Sequence, residues 1–305
     1  RDNLLQYFSD YLYPLEDIFN FETVGEYYEH MAQQEPKTFD GNKVKSQEEL
    51  WIGNFLYLSG VKYRYEQQYL VDLATADRRQ YKPDFYLKER LYLEHYGINQ
   101  KGETPSFMNK QQSAAYKQSI MWKRAVHSSN QTGLIETYSA ELRNTDWKKM
   151  LKALLNDIGI ELKAIDPKKA LESINEMQTY SNRLDQLIAT FLELQKMKGV
   201  SPEELIELSK ADPKTNQWLK SCGLSDYSTK RFNAFLRIYL PVFKDYQEEI
   251  AQEEAIDFND MVNKAVAYIQ SKQFTSPWKY ILVDEFQDIS TGRAKLVKSL
   301  IRSRP

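Results

Sequence analysis

From about residue 145 to residue 275 the apolar residues of this chain recur at helical spacing almost without a break. Between Lys168 and Lys198 they are Leu171, Ile174, Met177, Leu184, Leu187, Ile188, Phe191 and Leu194, a period close to that of an α-helix. The same pattern predicts helices at 146–157, 202–210, 227–250 and 257–271. Strand-like runs are gathered elsewhere, at Tyr63–Tyr69, Asp84–Leu87, Leu91–Tyr96 and Leu134–Tyr138, with a helix at Gln111–His127 before the last of them. Segregated strands and helices point to a helix-rich α+β chain rather than a regular alternation. Only Tyr280–Val283, a short continuous apolar run, reads as a buried parallel strand of α/β type, and a helix is expected after it at 291–302. With 11 Gly and 10 Pro in 305 residues, long flexible linkers are excluded. The textures divide the chain into a helical lead-in (1–41), a mixed module (42–140), a helical subdomain (141–275) and a final strand-helix unit (276–305).

Within the mixed module, Ser46 followed by Glu49 is a capping-box pattern, and the helix it opens carries Leu50, Phe55 and Leu58 before stopping at Gly60. The single Cys222 excludes a disulfide framework and a cysteine-ligated zinc site, and three histidines leave little for a histidine metal site. A reducing, cytoplasmic setting is expected, and no apolar run is long enough to span a bilayer. The net charge of −2 conceals segregation. Residues 1–41 hold two basic groups against nine acidic ones, residues 108–152 eight against three, and residues 289–305 five against none. A basic face of this kind suits a phosphate backbone. The expected DNA contacts are Lys117, Lys123, Arg124, Lys148, Lys149 and Lys152. An ordinary solvated helix face explains the charge equally well.

The string Lys279-Tyr-Ile-Leu-Val-Asp-Glu-Phe-Gln-Asp288 carries the most specific chemistry. An apolar strand would deliver Asp284 and Glu285 at its carboxyl end, where open α/β sheets place ligands. In a nucleotide hydrolase the first carboxylate holds Mg²⁺ and the second orients or deprotonates the attacking water. Gln287 and Asp288 would link nucleotide state to neighbouring elements. This string resembles the Walker B element, motif II, of superfamily 1 helicases of the UvrD/Rep type. Ile256-Asp257-Phe258-Asn259-Asp260-Met261 is similar to a segment those enzymes carry upstream of motif II, although Asp257 also reads as a plain N-cap.

A Walker B element works with a glycine-rich loop and a lysine. The one pair of glycines at a suitable separation, Gly97 and Gly102, is followed by Glu103, which would repel phosphate. The resemblance therefore implies an internal piece of a helicase, bounded by the phosphate loop upstream and motifs III to VI downstream, and inactive as an ATPase by itself.

Tyr81-Lys-Pro-Asp-Phe-Tyr-Leu87 followed by Leu91-Tyr-Leu-Glu-His-Tyr-Gly97 resembles the hairpin of the PD-(D/E)xK nuclease fold. That resemblance implies that Asp84 and Glu94 hold a divalent cation, with Glu48 on the preceding helix as a further carboxylate. Gln112 and Tyr116 are similar to a Gln-x-x-x-Tyr pattern of recombination nucleases. The lysine of that motif is missing. Residues i and i+2 of a strand share a face, so it belongs at 96, where Tyr96 stands, and His95 points the other way. Lys123 on the following helix could swing in. The favoured reading is a nuclease fold kept as a scaffold or DNA-binding module. One branch of the UvrD/Rep family, the helicase IV type, carries segments similar to 44–50, 54–58, 63–66, 83–87, 94–95, 122–124 and 134–139, in the same order.

Three functions stay open at this stage. The chain is a segment of an ATP- and Mg²⁺-dependent 3′–5′ DNA helicase, or a metal-dependent nuclease module, or a non-catalytic helical interaction module. The first implies as partners single-stranded DNA, the duplex junction and the rest of the motor in the same polypeptide, and no membrane. Architecturally, Asp84 and Glu94 should lie close together on adjacent strands, and Tyr280–Val283 should stay outside their sheet.

Overall fold

The computed structural model describes residues 1–13, 16–143, 146–176, 178–210 and 226–303. Met177 and Cys222 lie outside the described residues. The chain forms two compact units, Arg1–Tyr180 and Ser181–Pro305.

The first unit opens with helices α1 (Asp2–Asp10) and α2 (Val24–Gln34), followed by α3 (Gln47–Leu58). Ser46 Oγ accepts the Glu49 N–H at 3.1 Å, as the sequence predicts. The reciprocal half of the box is replaced, because the Glu49 carboxylate takes the Lys45 N–H instead. Leu50, Ile52 and Leu56 of α3 are fully buried. Asn54 of α3 accepts the Phe39 N–H at 2.9 Å, fastening the lead-in loop to the helix. After α3 the chain turns at Gly60, whose φ is +71°. A side chain there would collide with the Lys163 carbonyl oxygen.

Four strands follow, β1 (Arg64–Tyr65), β2 (Phe85–Lys88), β3 (Leu91–Tyr96) and β4 (Gly133–Tyr138), in the sheet order β1-β2-β3-β4. The first two pairings are antiparallel and β3–β4 is parallel, in register from Leu91↔Gly133 to Tyr96↔Tyr138. A parallel pair needs a crossover, and α4 (Lys110–Ser129) supplies it. The predicted run Tyr63–Tyr69 is cut to two residues because Glu66 takes a left-handed conformation, φ 48°. Tyr69, Tyr81, Tyr92 and Val126 form a buried cluster of this unit, with Trp122 packed against it.

Helices α5 (Ser139–Leu142), α6 (Trp147–Asp157) and α7 (Pro167–Glu176) complete the unit, so that the first helices of the predicted helical subdomain are grouped with the sheet. The ring of Tyr180 packs against Phe39 and Phe8, with ring centroids 5.1 and 5.5 Å away. Helix α8 (Thr179–Lys198) carries the chain into the second unit.

That unit holds α9 (Pro202–Lys210), α10 (Asp226–Gln252), α11 (Phe258–Gln270) and α12 (Thr291–Arg302). Phe191, Phe235 and Tyr239 pack edge to face and stacked, with centroids 4.7 to 5.5 Å apart. Lys196 is buried and is held by Asp257 and by Asp260, the latter at 2.7 Å. Asp257 N-caps α11 as expected, accepting the Asp260 N–H at 2.8 Å.

The expected strand Tyr280–Val283 does not form. The segment joins no ladder among the described residues, and Leu282 is 96% exposed. A parallel strand is held only by neighbours that take its N–H and C=O groups. None of β1 to β4 does so, and the segment stays outside their sheet, as anticipated. No described helix is long and apolar enough to cross a membrane.

The turn at residue 60 tolerates only glycine. Gly60→Ala should lower stability by about 2 kcal/mol, from a left-handed φ combined with a backbone collision. Thermal unfolding reads this directly, and a melting temperature unchanged within error would exclude it.

Candidate functional site

Asp84 and Glu94 meet as the hairpin predicts. Phe85 pairs with Leu93, so Asp84, one residue earlier, stands opposite Glu94. An Asp84 carboxylate oxygen accepts the His95 N–H at 2.7 Å. Glu94 is fully buried. One of its oxygens accepts the Tyr81 hydroxyl at 2.6 Å, and the other takes the Lys123 ammonium at 2.5 Å. The lysine missing from β3 therefore arrives from α4. Tyr81 also reaches His127 Nε2 at 3.1 Å, and His127 Nδ1 lies 2.7 Å from Thr132 Oγ1.

Glu48 does not join Asp84 and Glu94. Its carboxylate contacts His95 Nε2 at 2.8 Å, the Ser139 hydroxyl at 2.5 Å and Arg143 at 3.2 Å. His95 is on the opposite face of β3 from Glu94, because successive strand residues alternate. Glu49, the next residue of α3, accepts the Tyr65 hydroxyl and feels the charge of Asp84 instead. Neighbouring helical residues point about 100° apart, and no motif marks one glutamate over the other. Nothing in the sequence singles out Tyr81 or His127 either. Of the Gln-x-x-x-Tyr pair, Tyr116 accepts the Gly97 N–H at 3.0 Å while Gln112 forms the α4 capping box with Asn109. Among the described residues no three His, Cys, Asp or Glu side chains are grouped to hold a metal ion.

Burial and the facing Glu94 charge push the Asp84 carboxyl up to about 7, against the partial relief of Lys123. Burial, then Asp84, pushes Glu49 up to about 7 as well. For Glu48, burial acts to raise the carboxyl, but the His95, Ser139 and Arg143 contacts together bring it below its usual range. Burial acts to lower His95, and Glu48 more than offsets it, so the imidazole is raised. Burial and the Lys123 charge lower His127 to about 4.

At the other end of the chain, Asp284 and Glu285 are exposed. Asp284 accepts the Glu285 N–H at 3.0 Å, and Glu285 adopts a left-handed conformation that opens a short turn, Phe286–Asp288. Gln287 donates to the Glu285 carboxylate. The Gly97–Glu103 segment is a turn in which Asn99 accepts the N–H groups of Lys101 and Glu103, both at 2.9 Å. Four of the six expected DNA-contacting cations are engaged with protein carboxylates. These are Lys123 with Glu94, Arg124 with Glu136, Lys148 with Asp10 and Lys149 with Asp146. Lys117 and Lys152 are exposed.

The UvrD/REP helicase N-terminal domain matches this sequence over residues 85–305. The chain belongs to that helicase family. It is 31% identical to DNA helicase IV of Escherichia coli (strain K12) over 120 residues, which is 39% of this chain and 15% of that protein. It is 22% identical to the ATP-dependent DNA helicase UvrD1 of Mycobacterium bovis over 199 residues, 61% of this chain and 21% of the relative. The ATP-dependent DNA helicase PcrA of Bacillus subtilis is 23% identical over 130 residues, 39% of this chain and 18% of its own length. This UvrD/REP-family chain thus spans about a fifth or less of the curated relatives it matches. No solved structure matches it.

The raised carboxyls make a signed prediction. In the unfolded chain both titrate near pH 4. Between about pH 4 and 7 the folded protein keeps protons that the unfolded chain releases, so their contribution to stability falls as pH rises. Asp84→Asn removes that loss while keeping an acceptor for the His95 N–H. Its unfolding free energy relative to wild type should be greater at pH 8 than at pH 5, by about one to a few kcal/mol, as read from denaturant titrations at the two pH values. An equal difference at both pH values would refute it.

Proposed function

We propose that the chain is a segment of an ATP-dependent DNA helicase with 3′–5′ polarity, contributing motif II of the motor and a nuclease-like insert that faces DNA. The single observation that carries this reading is the family match over residues 85–305, which runs through the Asp284-Glu285-Phe286-Gln287-Asp288 string. Its exposed carboxylates support it further. Hard oxygen donors such as Asp284 and Glu285 fit Mg²⁺, which supplies charge neutralisation on the phosphates of bound ATP. Glu285 accepts the proton of the attacking water, and Gln287, already donating to Glu285, orients it. The phosphates themselves need a cradle that the Gly97–Glu103 turn does not offer, since the Asn99 side chain takes the Lys101 and Glu103 N–H groups and Tyr116 that of Gly97. By itself the chain is inactive as an ATPase in this reading.

In the full-length protein, Glu285→Gln should reduce ATP turnover by at least 100-fold with nucleotide affinity changed little, because the amide keeps the shape and loses the base. Undiminished turnover would remove the motif II assignment.

A second reading, a metal-dependent nuclease, is favoured by one observation, the arrival of Lys123 at Glu94 beside Asp84. Supercoiled DNA incubated with the protein and Mg²⁺ should then be nicked, and Asp84→Ala should abolish nicking. Intact DNA in the wild-type reaction supports the scaffold reading instead.

A further inference from the structure

The loop Val71–Lys82 crosses the outer side of the buried tyrosine cluster and is locked in place by one side chain. The Gln80 amide oxygen accepts the Leu73 N–H at 2.7 Å, and its nitrogen donates to the Tyr69 and Val71 carbonyls at 3.2 and 2.9 Å. The loop tip closes on itself between Thr75 and Arg78. A groove of about 550 Å³ runs beneath it, lined by Lys45, Arg78, Arg79, Lys82, Trp122 and Lys123 among others, with Glu66 as its one acidic residue. Glu66 neutralises Lys45 and Glu94 neutralises Lys123. Arg78, Arg79 and Lys82 are exposed and form no ion pair among the described residues. The Arg78 guanidinium lies 3.8 Å from the centroid of the half-buried Trp122 ring, a flat, exposed cation on an aromatic face.

We propose that this groove binds the backbone of single-stranded DNA, with Arg78, Arg79 and Lys82 on successive phosphates and a base stacked on Arg78 over Trp122. The proposal deepens the DNA-facing role given to the insert above and rests on it, but it moves the contact to residues outside the basic stretch 108–152. Three physical features select this ligand. Cations without a carboxylate partner are the ones whose binding to phosphate releases counterions. A positively charged groove with an aromatic platform is what sequence-tolerant single-strand binding requires. The loop is fixed by Gln80 before any ligand arrives, so the ordering cost of binding is small. The inner wall of the groove is formed by Tyr81 and Lys123, the two residues that hold Glu94.

The test uses the 305-residue chain and a fluorescent oligothymidylate, read by anisotropy from low to moderate salt. Wild type should bind with an affinity that falls steeply with salt. The variant Arg78→Glu/Arg79→Glu/Lys82→Glu should bind on the order of 100-fold more weakly, with a salt slope lower by about two units, since each single-strand phosphate contact contributes about 0.7. The neutral variant Arg78→Gln/Arg79→Gln/Lys82→Gln should fall in between. Lys148→Glu/Lys149→Glu/Lys152→Glu should stay within about threefold of wild type. An unchanged melting curve shows that the exposed substitutions leave the fold intact. If the groove variants bind like wild type while the 148–152 variant loses affinity, the groove is overturned and the DNA-facing reading survives. If wild type itself does not bind, both fall. If the groove variants keep DNA binding but lose binding to polyglutamate, the groove takes an acidic protein segment and the proposal is overturned.

Discussion

Glu94 is a carboxylate with no exposure to solvent in the middle of a sheet, and the first unit is arranged around that fact. Withdrawing such a charge from water costs several kcal/mol unless a counter-charge and hydrogen bonds replace the solvent. Each replacement comes from a different element. Lys123 brings in the crossover helix α4, and Tyr81 brings in the loop that precedes β2. On the backbone, β3 is paired on both sides, with β2 and β4. Removing Lys123 would therefore leave a buried charge unpaired and also remove one of the ties between α4 and the sheet. Tyr81 in turn touches His127, and burial with the Lys123 charge holds that imidazole well below its ordinary range; with its own proton given to Glu94, the Tyr81 oxygen is left to accept from the His127 ring.

Two adjacent glutamates at the start of α3 divide the electrostatics of the sheet between its faces. Glu48 has donors from His95, Ser139 and Arg143 and is held ionised. Glu49 has Tyr65 and one backbone N–H and lies within the field of Asp84, so it holds its proton well above the usual range. Burial is similar for both, so the difference lies in the partners. A set of carboxyls raised toward 7 is a common property of catalytic centres, and equally of a packed scaffold that never ionises. The nicking experiment separates these on chemistry, where acidity alone would not.

Local patterning made much of this fold legible. The run Leu91–Tyr96 is a strand from end to end, the helix expected at Gln111–His127 extends to Lys110–Ser129, and the Ser46 cap forms. Legibility failed where a residue's fate depends on a distant neighbour. Strand spacing puts a catalytic-type lysine at 96, and a rule confined to one strand cannot show that a helix returns one to the same carboxylate. Tyr280–Val283 has the apolar content of a buried strand, but content specifies only what a strand would bury. A ladder also needs donors and acceptors alongside, and among the described residues no strand provides them. The outcome is an irregular segment with Tyr280, Leu282 and Phe286 exposed to solvent.

Charge was the most misleading signal when counted by segment. Residues 108–152 carry the larger basic excess, yet Lys123, Arg124, Lys148 and Lys149 each lie against a carboxylate. Two of these partners, Glu94 and Asp10, are outside the segment that was counted, so its excess is compensated in space although not in sequence. Arg78, Arg79 and Lys82 sit in a stretch with Asp72, Asp77 and Asp84 that looks balanced by count. In the fold Asp72 turns to the Ala74 N–H and Asp84 to the His95 N–H, which leaves the three cations without those partners. An ion pair already made inside the protein has to be broken before its cation can serve a phosphate, whereas an unpaired cation gives up only its water and counterion. The electrostatic surface a ligand meets is the residue left after internal pairing, and on that measure the loop around Arg78 outranks the helices around Lys123 and Lys148.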